Sequence, residues 1–141
     1  MLIEDSVMYI GTSSTLIDLR SDYGSTWRGS VTIKNLNVIR TKKTSSLNLL
    51  NATWNNHDFG YRTYMPATVT VDNLTCNGVS KINLVTGTVS KLSYICDAEI
   101  AGEENLNPYT VTEKLIVRNC AGITFSIPTT EPFKSTVLIN E

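Results

Sequence analysis

The sequence predicts an all-β protein built as a solenoid, and two observations carry that prediction. The first is composition: the 141 residues include 19 Thr, 13 Asn and 13 Ser, but only 5 Ala and no Gln. A chain poor in Ala and rich in β-branched residues and Asn favours strands joined by tight turns over helices. The second is an internal repeat of short alternating segments, which indicates strands stacked in successive coils.

The repeated unit is a five-residue segment whose first and third residues are apolar. Alternation of period two places those two residues on one face of a strand. The last four segments start 22 to 23 residues apart, and the two earlier intervals are 30 and 38 residues. The spacing therefore predicts one domain, residues 1–141, of about five coils with a period of 22–23 residues and longer first two coils. The six segments begin at Met1, Val31, Val69, Leu92, Leu115 and Val137.

Positions four and five of the segments, and a second set of strands, extend the pattern. Asn and Asp tolerate the left-handed conformation of a sharp bend, and stacked Asn side chains can form an amide ladder. The fourth position predicts a column of alternating charge. The fifth-position residues are Asp5, Asn35, Asn73, Cys96, Asn119 and Glu141, and the fourth-position residues are Glu4, Lys34, Asp72, Ile95, Arg118 and Asn140. Second strands are expected at 17–19, 47–49 and 82–84, with Asp18, Asn48 and Asn83 aligned.

This arrangement of strand, Asn-bearing turn, second strand and variable loop resembles the right-handed parallel β-helix of the pectate-lyase-like type. The alternative is an antiparallel β-sandwich, which also has short alternating strands. Residues 58–66 resemble β-helix segments of phage and prophage surface proteins. That resemblance implies a virion or bacterial cell surface location and assembly as a homo-oligomer such as a trimer. Both ends of the sequence align inside a coil, so the chain is expected to be a fragment of a longer protein or part of an oligomer.

Two long loops, 20–29 and 53–66, hold six of the eleven aromatic residues and the single His. Aromatic rings stack on the C–H faces of sugars, and Asn, Asp and Arg bind hydroxyl groups, so the loops predict a polysaccharide or cell-surface glycan as ligand. Inward packing of the rings and subunit contact are the alternatives. The candidate binding residues are Asp22, Tyr23, Trp27, Arg28, Trp54, His57, Asp58, Tyr61, Arg62 and Tyr64.

The remaining features predict neither catalysis nor a cofactor. Polysaccharide-cleaving enzymes need paired carboxylates or a calcium-binding acidic cluster, and the fourth-position column separates its acids. Three Cys without a CxxC pair predict buried free thiols rather than a metal site. A net charge of −1 argues against nucleic acid, and no signal peptide or membrane span is expected. Three hypotheses follow: a non-catalytic recognition module, a polysaccharide lyase or glycoside hydrolase, and a purely structural spacer.

Overall fold

The protein is all-β with parallel sheets. The computed structural model describes residues 1–20, 27, 29–43, 45–53, 63–77, 81–86, 109–110, 112–127, 129 and 136–141. The strands in chain order are β1 (Leu2–Ile10), β2 (Ser14–Arg20), β3 (Ser30–Arg40), β4 (Leu47–Thr53), β5 (Thr63–Tyr64), β6 (Thr68–Cys76), β7 (Lys81–Thr86), β8 (Tyr109–Thr110), β9 (Lys114–Arg118), β10 (Thr124–Ser126) and β11 (Val137–Asn140).

The order of strands in both larger sheets follows their order in the chain, as predicted. The five-stranded sheet runs β1-β3-β6-β9-β11, the four-stranded sheet β2-β4-β7-β10, and β5 pairs with β8. All eight pairings among the described residues are parallel, so the antiparallel sandwich is wrong. Parallel neighbours need a crossover connection, and each crossover between neighbouring strands of the five-stranded sheet passes through a strand of the four-stranded sheet.

A left-handed residue bends three strands of the five-stranded sheet at the predicted fifth position, and a fourth left-handed residue directly follows β9. In β3, Val31 and Ile33 are buried before the bend at Asn35, and Leu36 and Val38 are buried after it. The inward positions thus change from odd to even numbers across Asn35, because the left-handed residue shifts the alternation by one. The strand turns a corner while its apolar side chains stay inward. The positive φ angles are 49° at Asp5, 52° at Asn35, 57° at Asn73 and 52° at Asn119.

The predicted amide ladder forms at this corner and then changes partner. Asn35 Nδ2 donates to Asp5 Oδ1 at 2.7 Å, and Asn73 Nδ2 donates to Asn35 Oδ1 at 2.9 Å. Asn119 Nδ2 instead donates to Asp72 Oδ1 at 2.8 Å, one residue before Asn73. A carboxylate is the stronger acceptor for an amide N–H, which accounts for the change.

The two larger sheets enclose one apolar core. Val31, Val69 and Leu115 are opposite one another in register and are at most 1% exposed. Full burial of such a side chain contributes about 1.5–3 kcal/mol, so the column strongly favours this register. The four-stranded sheet adds buried residues from every strand, and Met65 joins from beside β5. The buried residues on the four-stranded side are Leu19, Leu47, Leu49, Leu50, Ile82 and Phe125.

One predicted coil is wrong. β6 pairs directly with β9, with Val71 opposite Val117, so segment 92–96, which lies outside the described residues, does not fit between them. The interval from Val69 to its partner Leu115 is 46 residues. That is twice 23, so the spacing alone could not distinguish one long interval from two short ones. The five-stranded sheet therefore contains five of the six predicted strands.

Two predicted alignments also shift. Leu138, not Val137, lies opposite Leu115, and Val137 is 55% exposed. On an edge strand only one neighbour constrains the register. In the four-stranded sheet Asn48 pairs with Asn83 as predicted, whereas Asp18 lies opposite Asn51.

Candidate functional site

Of the ten predicted binding residues, the structure describes Trp27 fully and the backbone of Tyr64. Trp27 is therefore the one candidate whose side chain the structure describes. The eight that lie outside the described residues are Asp22, Tyr23, Arg28, Trp54, His57, Asp58, Tyr61 and Arg62.

Trp27 stands at the start of β3 with its ring partly exposed. Its exposed fraction is 38%, and its indole Nε1 donates to the Ser30 carbonyl oxygen at 3.2 Å. The same oxygen accepts a hydrogen bond from the Met1 amino group at 2.9 Å. A Cβ at Gly29 would lie 3.5 Å from Nε1, so the indole packs closely over the glycine backbone. The ring is thus held in place and does not join the buried core.

Tyr64 belongs to β5, where Thr63 lies opposite Tyr109 and Tyr64 opposite Thr110. These partners are 46 residues apart, the same interval as between β6 and β9. β5, just before β6, and β8, just before β9, therefore occupy equivalent places in neighbouring coils. The 46-residue interval makes this coil the third long one, and the sequence pattern did not predict it.

A second feature lies at the opposite end of β3, where the link to β4 is unusually long. Residues 11–13 link β1 to β2, and residues 77–80 link β6 to β7, whereas six residues, 41–46, link β3 to β4. The long link lines a cleft of about 570 Å³ whose described lining residues are Arg40, Thr41, Lys42, Lys43 and Asn77. That volume lies within the range of small-ligand sites.

Hydrogen bonds hold the walls of this cleft. Arg40 N donates to Asn77 Oδ1 at 2.7 Å, and Arg40 Nε donates to Ser45 Oγ at 3.2 Å. The buried Ser45 hydroxyl donates to the Lys42 carbonyl oxygen at 2.5 Å, and Thr41 Oγ1 donates to the Ile10 carbonyl oxygen at 3.1 Å. These bonds fix the backbone of the link while Lys42 and Lys43 remain exposed.

The outward column of the five-stranded sheet alternates in sign, as predicted. Glu4 lies opposite Lys34, Lys34 opposite Asp72, and Asp72 opposite Arg118. Arg118 Nε then contacts Glu141 Oε2 at 2.5 Å, so Glu141 extends the alternation. Each acid in this column has a cation beside it, which favours strand pairing over a shared catalytic carboxylate pair.

The two described cysteines, Cys76 and Cys120, are in no disulfide and are partly buried. Burial raises the pKa of the Cys120 thiol above its ordinary value. Its sulfur accepts a bond from Leu74 N at 3.4 Å and donates to the Arg118 carbonyl oxygen at 3.0 Å. Cys120 therefore acts as a small core residue at the bend, and Cys96 lies outside the described residues.

The described part of the chain contains no group of three metal-ligating side chains and no helix that is long and apolar enough to cross a membrane. Comparison with protein-family models, with curated proteins and with solved structures found no match to this chain. Trp27 and the cleft are therefore the two described features from which a function can be inferred.

Proposed function

We propose that the chain is a non-catalytic recognition module of a phage, prophage or bacterial surface protein, folded as a right-handed parallel β-helix that binds glycan through its loops. Parallel pairing in chain order and the alternation of strands between two sheets support the β-helix. Parallel crossover connections are right-handed in nearly all known proteins, which supports the hand.

The partly exposed, hydrogen-bonded ring of Trp27 is the observation that carries the binding proposal. A ring held by its Nε1 bond to Ser30 loses little conformational freedom when a ligand binds. Its exposed face offers the apolar surface on which a sugar ring stacks. In a purely structural spacer the aromatic residues of the loops would pack into the core, whereas 38% of Trp27 is exposed.

The polysaccharide-cleaving alternative has less support. Along the outward column, Glu4 and Asp72 stand two strands apart with Lys34 between them, and the two-strand spacing is roughly 9.6 Å. Lys34 lies between the two acids and pairs with both in register, so we favour binding without cleavage.

The test is an oligosaccharide array probed with wild type, Trp27→Ala and Tyr9→Ala. Tyr9 is the matched control because it is an aromatic residue, 70% exposed, on edge strand β1. Wild type and Tyr9→Ala are expected to retain the same glycans, with Trp27→Ala weakened about tenfold or more, as expected for a lost stacking contact. Equal retention by all three proteins, or retention by none, would overturn the proposal.

A further inference from the structure

We propose that the cleft beside the β3–β4 link binds a tetrahedral oxyanion, a phosphate or sulfate ester, through Lys42 and Lys43. That the ester is carried by a glycan rests on the proposed function; the anion site itself does not. The site lies apart from the aromatic loops, and its described lining is Arg40, Thr41, Lys42, Lys43 and Asn77.

The first argument is the length of the link. The equivalent connections from β1 to β2 and from β6 to β7 use residues 11–13 and 77–80, so three or four residues suffice to turn the chain between the sheets. The β3–β4 link has six residues, and Lys42 and Lys43 belong to the excess. Extra loop residues on a repeated scaffold are the usual place for a binding function.

Second, the charge around the cleft is positive. Residues 35–53, from the bend of β3 to the end of β4, contain Arg40, Lys42 and Lys43 but no Asp or Glu, although the whole chain has a net charge of −1. Among the described residues, neither Lys42 nor Lys43 has an ion-pair partner. The acids of the outward column lie before or at the bends, toward the other end of the strands. The local field at the cleft therefore favours an anion.

The third argument is the type of donor. Arg40 directs its Nε hydrogen to Ser45 inside the link, so the Nε edge of its guanidinium is occupied and cannot bind a carboxylate side-on. Two lysine ammonium groups are point charges with rotatable donors. They suit an anion whose oxygens point in several directions and which carries up to two negative charges, as a phosphate ester does.

The cleft and Trp27 occupy opposite ends of β3, an 11-residue strand that spans roughly 30 Å. A single monosaccharide cannot bridge them. Amide signals of the cleft and the indole signal of Trp27 therefore report binding at the two places separately in one sample.

The experiment is an amide-and-indole NMR titration of the whole chain with glucose 6-phosphate, glucose 6-sulfate, glucuronate and glucose. We expect saturable shifts of the amides of residues 41–43 and 45 with the phosphate and the sulfate, and at least about fivefold weaker binding of glucuronate. Removing both charges in Lys42→Ala/Lys43→Ala should weaken binding at least about tenfold, since each ammonium about 4 Å from the anion contributes roughly fivefold even in water. Lys42→Arg/Lys43→Arg should stay within about threefold of wild type.

The control is Lys34→Ala/Lys114→Ala, which removes the same charge elsewhere on the protein. Equal weakening in both alanine pairs, equal binding of glucuronate, or no saturable shift in the cleft would overturn the anion site. A neutral oligosaccharide that shifts the Trp27 indole while the cleft stays silent would overturn this inference and leave the proposed function intact. Phosphate binding in the cleft with no glycan retained on the array would do the reverse.

Discussion

Replacement of Asn35 tests whether the corner of the five-stranded sheet depends on backbone conformation, on the amide ladder, or on both. Asn35 holds φ at 52°, donates to Asp5 and accepts from Asn73. The left-handed conformation costs an ordinary L-residue about 1 kcal/mol or more. Each hydrogen bond contributes about 0.5–1 kcal/mol at a partly exposed site.

These terms predict that Asn35→Ala lowers the free energy of unfolding by about 2–3 kcal/mol, because it loses both bonds and forces alanine into the left-handed region. Asn35→Gly loses the bonds but has no left-handed penalty, so the expected loss is about 1–2 kcal/mol. Asn37→Ala is the control. It removes only one exposed bond, from Thr75 Oγ1 at 3.1 Å, and should cost about 0.5 kcal/mol.

The assay is urea unfolding followed by far-UV circular dichroism, supported by thermal melts in which 1 kcal/mol corresponds to about 3 °C for a chain of this size. If Asn35→Gly and Asn35→Ala are equally unstable, the left-handed backbone is not what selects Asn at the bend. If Asn35→Ala is no worse than Asn37→Ala, neither the conformation nor the ladder stabilises the corner.

Three further substitutions test individual features of the fold. Gly122→Ala should lower the free energy of unfolding in urea by about 1 kcal/mol, because φ is 77°. No atom lies within 4 Å of the new Cβ, so the loss reports backbone strain and not a clash. Gly29→Ala, where φ is not positive, should cost less than half of that, and the opposite ranking would contradict the role of φ. Thr112→Val should stabilise the protein by about 1 kcal/mol, because Thr112 Oγ1 is buried without a hydrogen-bond partner in the described structure; a loss of stability would show that the hydroxyl is bonded. The raised pKa of Cys120 predicts that wild type loses stability relative to Cys120→Ala as pH rises above the ordinary thiol value of 9.0. Above that pH the thiol ionises in the unfolded chain but stays protonated in the folded protein, so the free energy of unfolding falls until the pH reaches the raised pKa of the folded thiol. A stability difference that does not change between pH 8 and 10.5 would contradict it.

The bends were predictable from sequence because the physical requirement is local. Asp5, Asn35, Asn73 and Asn119 each follow an alternating apolar pair, and their short polar side chains suit the left-handed region. Cys96 has the same position in the predicted segment that does not lie between β6 and β9. A thiol has no comparable preference for that conformation, so the fifth position carried a signal against segment 92–96 that apolar alternation concealed.

Strand partners were less predictable because several segments have the same apolar alternation, which determines the buried face of a strand but not which strand lies beside it. The apolar alternation that begins at Val69 is matched equally well by the segments that begin at Leu92 and at Leu115. Only the direct pairing of β6 with β9 identifies Leu115 as the partner. Asp18 likewise aligns with Asn51 through an Nδ2–Oδ1 bond of 2.8 Å. The sequence contains several Asn residues that would serve this bond equally well.

The cleft shows why function is harder to predict than the scaffold on this protein. The apolar pairs, the left-handed Asn residues and the charge column recur because stacking of parallel strands requires them, so their presence says nothing about a ligand. Residues that bind a ligand are therefore expected where the chain departs from the repeat. The longest departures are the aromatic loops, which the sequence predicts as the binding site. The excess in the β3–β4 link is three residues over the β1–β2 link, which is small beside the long loops. It becomes visible only once the register fixes Ile10 opposite Arg40 and Ser14 opposite Leu47, because those pairings define how long the link needs to be.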